Sequence, residues 1–168
     1  MPIIYREETL PADTDAVRCL VESTGFFTPE EVGVAIELVE ERLAKGSPSG
    51  YSFIFLENEG HVVLGYSCFG PIPCTKDSFD IYWFAVRKDR QNSGLGTSLL
   101  ERTEQAISLM DGAKVYIETS SRGLYLPTRE FYQRNGYRQE ARFKDFYAPG
   151  DDKIVYVKQL LPAGNAPL

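Results

Sequence analysis

"DIYWFAVRKDRQNSGLGTSLLERTEQAI", residues 80–107, joins three patterns end to end. Its first seven residues are apolar, aromatic and β-branched apart from Asp80, the composition of a buried strand. Two glycines, Gly94 and Gly96, then fall within three residues, and from Gly94 the chain reads as an amphipathic helix over 94–110. Strand, glycine turn and helix start together form a common arrangement for holding a phosphate. The turn lets main chain approach the ligand, and the helix start supplies N–H donors that have no intrahelical acceptor. The plain alternative is a strand-to-helix turn in which glycine serves backbone geometry alone. The stretch lacks the Lys-Ser/Thr ending of a nucleotide-hydrolysing loop and is too short for a three-glycine dinucleotide fingerprint.

Working outward, residues 3–7 predict a short opening strand. "PADTDAVRCLVESTG" predicts a helix capped near Asp13 and ended by Gly25. A second helix begins at Thr28, where Thr28 and Glu31 have capping-box spacing, Pro29 takes the first helical position and Gly46 follows the last turn. Residues 51–70 read as a hairpin turning at Asn58–Gly60, and 79–87 as the next strand. After the glycine turn and its helix come a strand at 114–118, a short helix from Pro127 to Gly136, and a hairpin turning around 149–152. The predicted order β-α-α-β-β-β-α-β-α-β-β is a mixed α/β (α+β) domain with a central sheet. It fills residues 1–161 as one domain, and 162–168 is expected to be a disordered tail.

The 18 Lys and Arg are outnumbered by 24 Asp and Glu, a net charge of −6. That balance argues against nucleic-acid binding, which needs a basic face. No apolar run approaches the roughly 18 residues of a membrane span. Cys19, Cys68 and Cys74 are odd in number and lack CxxC spacing, and "MPIIYREETL" is not a secretory signal, so reduced thiols in the cytoplasm are expected. His61, the only histidine, reads as a solvated turn residue, and no second histidine exists to build a His-rich metal site. No metal is expected.

Gln91-x-x-Gly94-x-Gly96 after a strand, followed by a helix, a strand and a short helix bearing "FYQRNGY", resembles the GNAT acetyltransferase superfamily. The element order from residue 3 to 160 is similar to that fold as well. The resemblance implies acetyl-CoA as co-substrate. Backbone amides of Gln91, Asn92, Ser93, Gly94, Leu95, Gly96 and Thr97 would hold its pyrophosphate. The edge at Phe84, Ala85 and Val86 would pair with the pantetheine arm as an added strand. The family commonly has Gly where this chain has Asn92, a residue that tolerates left-handed backbone better than most. Many members place Asn where this chain has Tyr125.

The resemblance also assigns catalytic candidates. Tyr132 matches the tyrosine that protonates the departing thiolate, and phenol suits that task because it stays protonated at neutral pH; aromatic packing beside Phe131 and Tyr137 is the alternative. An alkyl amine of pKa about 10.4 is neutral in only roughly one molecule in 2,500 at pH 7, so direct attack on a thioester needs a proton acceptor. Asp80 lies on the strand where well-known members place a glutamate, and burial there would raise its pKa usefully. Glu118 competes for the role or orients the amine, ordered water is a third route, and Asp80 merely ending a loop is the bland reading. A strand amide near Phe84 would support the carbonyl oxygen.

Cys68 and Cys74 read as packing or loop residues. Phe26, Phe27, Tyr51, Tyr66 and Tyr147 fall in segments around the implied acceptor cleft, though each individually reads as core. Asp151 and Asp152 read as a solvated hairpin tip. The expected activity is transfer of acetyl to a small primary amine or amino acid. Alternatives are a protein N-terminus or lysine as acceptor, or a non-catalytic acyl-CoA sensor. A homodimer is allowed, not specified, by the sequence.

Overall fold

The computed structural model describes residues 2–162. Residues 163–168, most of the predicted tail, lie outside the described residues. Eleven elements follow in order: β1 (Ile4–Arg6), α1 (Asp13–Thr24), α2 (Pro29–Lys45), β2 (Ser52–Glu57), β3 (Val63–Pro71), β4 (Ser78–Val86), α3 (Leu95–Leu109), β5 (Lys114–Ser120), α4 (Leu126–Arg134), β6 (Arg138–Ala148) and β7 (Asp151–Gln159). The predicted order holds throughout. The strands form a mixed sheet in the order β1-β2-β3-β4-β5-β7-β6. Among the described residues no helix is long and apolar enough to cross a membrane.

The chain divides into two compact units. One comprises the residues up to Gly70 together with Ile81–Gln105. In it α1 buries Val17, Leu20, Val21 and Thr24, and α2 buries Val32, Ala35, Ile36 and Val39. Both stripes follow the spacing i, i+3, i+4, i+7 of one helix face. They meet Phe53 and Phe55 of β2, Tyr66 and Cys68 of β3, and Ala85 of β4 in one apolar cluster. Each branched side chain contributes roughly 1.5–3 kcal/mol on burial. The capping box of Thr28 and Glu31 is formed as predicted, but a cap is worth only about 1 kcal/mol, so packing is what holds α2 in place. β3 is buried on both faces, because Ser67 turns away from that cluster and meets Thr103 of α3 at 2.7 Å.

Asp13 does not cap α1 as expected. It is the first helical residue, and its carboxylate accepts the amide of Leu10 and both Nη atoms of Arg6 instead. The same guanidinium reaches Glu57 through Nε at 2.8 Å and lies 4.4 Å from the Phe55 ring centroid. One arginine thereby ties together β1, the start of α1 and the end of β2.

The second unit comprises Pro71–Asp80 and the residues from Ala106 on. β4 pairs with β5 in parallel at Ser78↔Lys114, Phe79↔Val115 and Asp80↔Tyr116. β5 pairs antiparallel with β7 along its whole length, and β7 with β6. Val115, Ile117, Ile154 and Tyr156 are buried on one face together with Tyr132 and Tyr137, whereas β6 is exposed along almost all its length.

Two glycines give opposite expectations. A Cβ on Gly70 would lie 1.9 Å from the carbonyl oxygen of Gly50. Gly70→Ala should therefore lose at least the roughly 1–3 kcal/mol of an overpacked core. Gly33, inside α2, would meet nothing within 4 Å. Gly33→Ala should gain about 0.5–1 kcal/mol of helix propensity. Urea unfolding of both variants checks the pair, and equal stabilities would refute the packing described.

Candidate active site

The first unit carries the glycine turn. Arg87 donates its amide to the Leu64 carbonyl, which anchors the chain as it leaves β4. One short helical turn at 88–90 follows, and Gln91 Nε2 reaches back to the Val86 carbonyl at 3.2 Å. Asn92 then adopts φ +58° and Gly94 φ +83°. The asparagine in place of the usual glycine does adopt the left-handed conformation that this residue type tolerates. Alternating left-handed residues turn successive N–H groups toward one concavity, a geometry suited to anions.

The amide of Ser98 donates to the Gly94 carbonyl at 3.1 Å, and helix geometry leaves the N–H groups before it without an intrahelical acceptor. A Cβ on Gly94 would meet nothing within 4 Å, and α3 has no acidic residue in its first turn. The open approach at Gly94 and the lack of an acidic residue in the first turn of α3 fit a pyrophosphate. Phe84, Ala85 and Val86 are the last three residues of β4 leading into this turn.

The second unit carries the ionisable candidates. Asp80 is the register partner of Tyr116, so it shares a sheet face with Tyr116 and, two residues along β5, Glu118. Lys153 of β7 joins them, its Nζ 2.8 Å from Glu118 Oε1. That ammonium also lies 4.5 Å from the Phe146 ring centroid and 5.8 Å from that of Phe143. The Asp80 carboxyl is pushed up to about 6, first by burial, then by the negative charge of Glu118, with Lys153 opposing.

Tyr132 belongs to the other face of these strands. Its ring lies 6.3 Å from that of Tyr156, which alternates away from Lys153 along β7, and 5.8 Å from Tyr137. Burial raises the Tyr132 hydroxyl well above its ordinary value, so it carries its proton throughout the neutral range. Of the two neighbouring aromatics, Phe131 is only half-buried, and Tyr132 is the deeper.

Asp151 and Asp152 are not a solvated tip. Asp151 accepts from Ser120 Oγ and pairs with Arg122 at 3.3 Å. Asp152 accepts the Asp145 amide at 2.9 Å and Arg142 Nε at 2.6 Å, and its own amide donates to Ser121 Oγ. The Asp145 amide and then Arg142 hold its carboxyl below the usual range. These pairs fasten the β6–β7 turn to the end of β5.

Lys153 was not foreseen either, although the alternation in "DDKIVYV" places it on the face opposite Ile154 and Tyr156. His61 is exposed in its turn, 3.2 Å from Glu57, while Cys68 is buried with its thiol pushed up by that burial. Tyr66 lies wholly in the core, Phe27 packs on Trp83 and Tyr51 on Tyr82, and Tyr147 is exposed.

Comparison with known proteins supplies the remaining constraint. Residues 49–139, more than half of the chain, match the family model described as "Acetyltransferase (GNAT) domain". A curated relative, an uncharacterised N-acetyltransferase of Methanocaldococcus jannaschii, is 32% identical over 84 residues, half of this chain. The matched stretch spans 53% of that relative's length. A solved structure from Desulfovibrio desulfuricans, assigned to the GNAT family, is 46% identical with a TM-score of 0.91, over 94% of this chain and 99% of that one. A GNAT-family acetyltransferase of Elizabethkingia anophelis, solved with acetyl-CoA bound, shares the fold at 18% identity and a TM-score of 0.67, over 94% of this chain and 98% of that one. With its element order, glycine turn and family match in agreement, this chain belongs to the GNAT acetyltransferase family.

Proposed function

We propose that the protein is an acetyl-CoA-dependent N-acetyltransferase acting on a small primary amine or amino acid by direct transfer in a ternary complex. The observation that carries this reading is Asp80, a half-buried carboxylate titrating near 6 on the strand that leads into the glycine turn. Family membership and the acetyl-CoA bound to the Elizabethkingia relative support the choice of donor. When bound, acetyl-CoA supplies an acetyl group activated as a thioester.

In this proposal the amides of Gln91–Thr97 hold the pyrophosphate, and Phe84, Ala85 and Val86 align the pantetheine arm by strand addition. The carboxylates Asp80 and Glu118 favour an acceptor that arrives as an ammonium. Asp80 takes the proton that the amine must lose as its nitrogen bonds to the acetyl carbon. Tyr132 gives a proton to the sulfur as the carbon–sulfur bond breaks. Both chemical partners are thereby held rather than collected from solution, which is where most of the rate advantage arises.

Release of free CoA thiol in the presence of a panel of amines tests the activity, and a folded protein that binds CoA but releases none with any acceptor would be a sensor instead. Tyr132→Phe keeps the ring and loses only the hydroxyl. It should lower kcat about 10²- to 10⁴-fold, the usual range for a lost general acid, while CoA affinity is retained. A drop below about threefold would leave Tyr132 as a core aromatic.

Asp80 makes two pH predictions. The rate kcat/KM should rise through a limb near 6 that Asp80→Asn removes. Stability should move the other way. The unfolded chain releases this proton near 3.8 and the fold near 6. Between those values the fold holds a proton that the unfolded chain has lost. The stability from protonated Asp80 is therefore complete below 3.8, declines through the window, and is absent above it. Asp80→Asn should raise Tm at pH 8 more than at pH 4, and equal shifts at both would contradict the raised carboxyl.

A further inference from the structure

Lys153 is enclosed in an unusual way for a lysine on a strand. Its side chain is 16% exposed, against 50% for its partner Glu118. Phe143 and Phe146 of β6 lie close to the ammonium, with Phe146 the nearer ring. Ring faces attract a cation, so the lysine is located by its aromatic neighbours before it meets any carboxylate. Glu118, the more exposed partner, is the one that takes its position from the other.

Two carboxylates sharing a face on adjacent strands tend to share one proton, and neither then acts alone. By register, Lys114, Tyr116 and Glu118 on β5 and Lys153 on β7 are the ionisable residues of these two strands that share the sheet face of Asp80. On its own strand segment the nearest ionisable residues are Asp77 and Tyr82. Of the two lysines, Lys153 is the one whose charge acts on Asp80, and it is bound to Glu118.

We propose that Lys153 is a positioning residue of the acceptor site, which through its ion pair withdraws Glu118 from proton transfer and leaves Asp80 as the single acceptor. This rests on the reading of Asp80 as the base. Without Lys153 the two carboxylates couple directly. Removing the cation raises Asp80, and removing the Glu118 charge lowers it.

The direct test is a carboxyl ¹³C NMR titration of Asp80 in the whole protein without acceptor, beside the pH profile of kcat/KM. Lys153→Met keeps an apolar stem against Phe146 and should move the Asp80 titration up by about half to one pH unit. Lys153→Arg should leave it near the wild-type value. Glu118→Gln, at an exposed side chain that folding tolerates, should move it down. A lysine that only packs would change Tm in Lys153→Met and leave the Asp80 titration where it was, which would overturn the proposal. So would a rise in Glu118→Gln. Titrations that move as stated while kcat/KM keeps one unchanged limb in every variant would overturn Asp80 as the base, and the positioning role with it. Titrations that stay put beside an intact Asp80 limb would overturn the role of Lys153 alone.

Discussion

The parallel pairing of β4 with β5, three residues long from Ser78 to Asp80, is the constraint from which the rest follows. Parallel neighbours cannot be joined by a hairpin, so the chain between them has to cross over, and it does so as α3. A crossover helix needs a sharp entry from the strand it leaves. That entry is the turn 91–94, with left-handed backbone at Asn92 and Gly94. The left-handed turn is thus a consequence of sheet topology before any role in binding. The ladder also ends at Asp80, so the residue that closes the parallel register is the same one that carries the raised carboxyl.

Charge is used in two ways in this molecule. Arg6 engages the buried Asp13 and Glu57, and the buried Asp151 and Asp152 are engaged by Ser120 and by the more exposed Arg122 and Arg142. Groups of this kind hold elements together, because removing one member leaves a buried charge without compensation. Asp80 differs. Burial acts on it first, a like charge acts next, and Lys153, the cation that opposes them, is bound to Glu118. A carboxylate left in that position costs stability once ionised, and under the proposed function the same raised value suits it to take a proton.

Much of this was legible in the chain because it is local. The capping box at Thr28, the left-handed Asn92 and the order of all eleven elements depend on residues a few positions apart. What escaped was nonlocal. Arg6 meets Glu57 across 51 positions, Ser120 meets Asp151 across 31, and Lys153 meets Glu118 across 35. Polar pairs of that range have no period and no spacing to reveal them. Asp151 and Asp152 misled for the same reason, since a Pro-Gly turn followed by two acids looks solvated until the end of β5 is folded against it. Asp13 misled more subtly, because an acid at a helix start ordinarily caps it, and Arg6 claimed the side chain instead.

The central claim is that one stretch, from β4 through the turn into α3, holds the acyl donor. Backbone amide chemical shifts during titration with coenzyme A test it most directly. The largest changes are expected at Gln91–Thr97, with smaller ones at Phe84, Ala85 and Val86. Changes confined to other segments, with the amides of 91–97 unmoved at saturation, would contradict it.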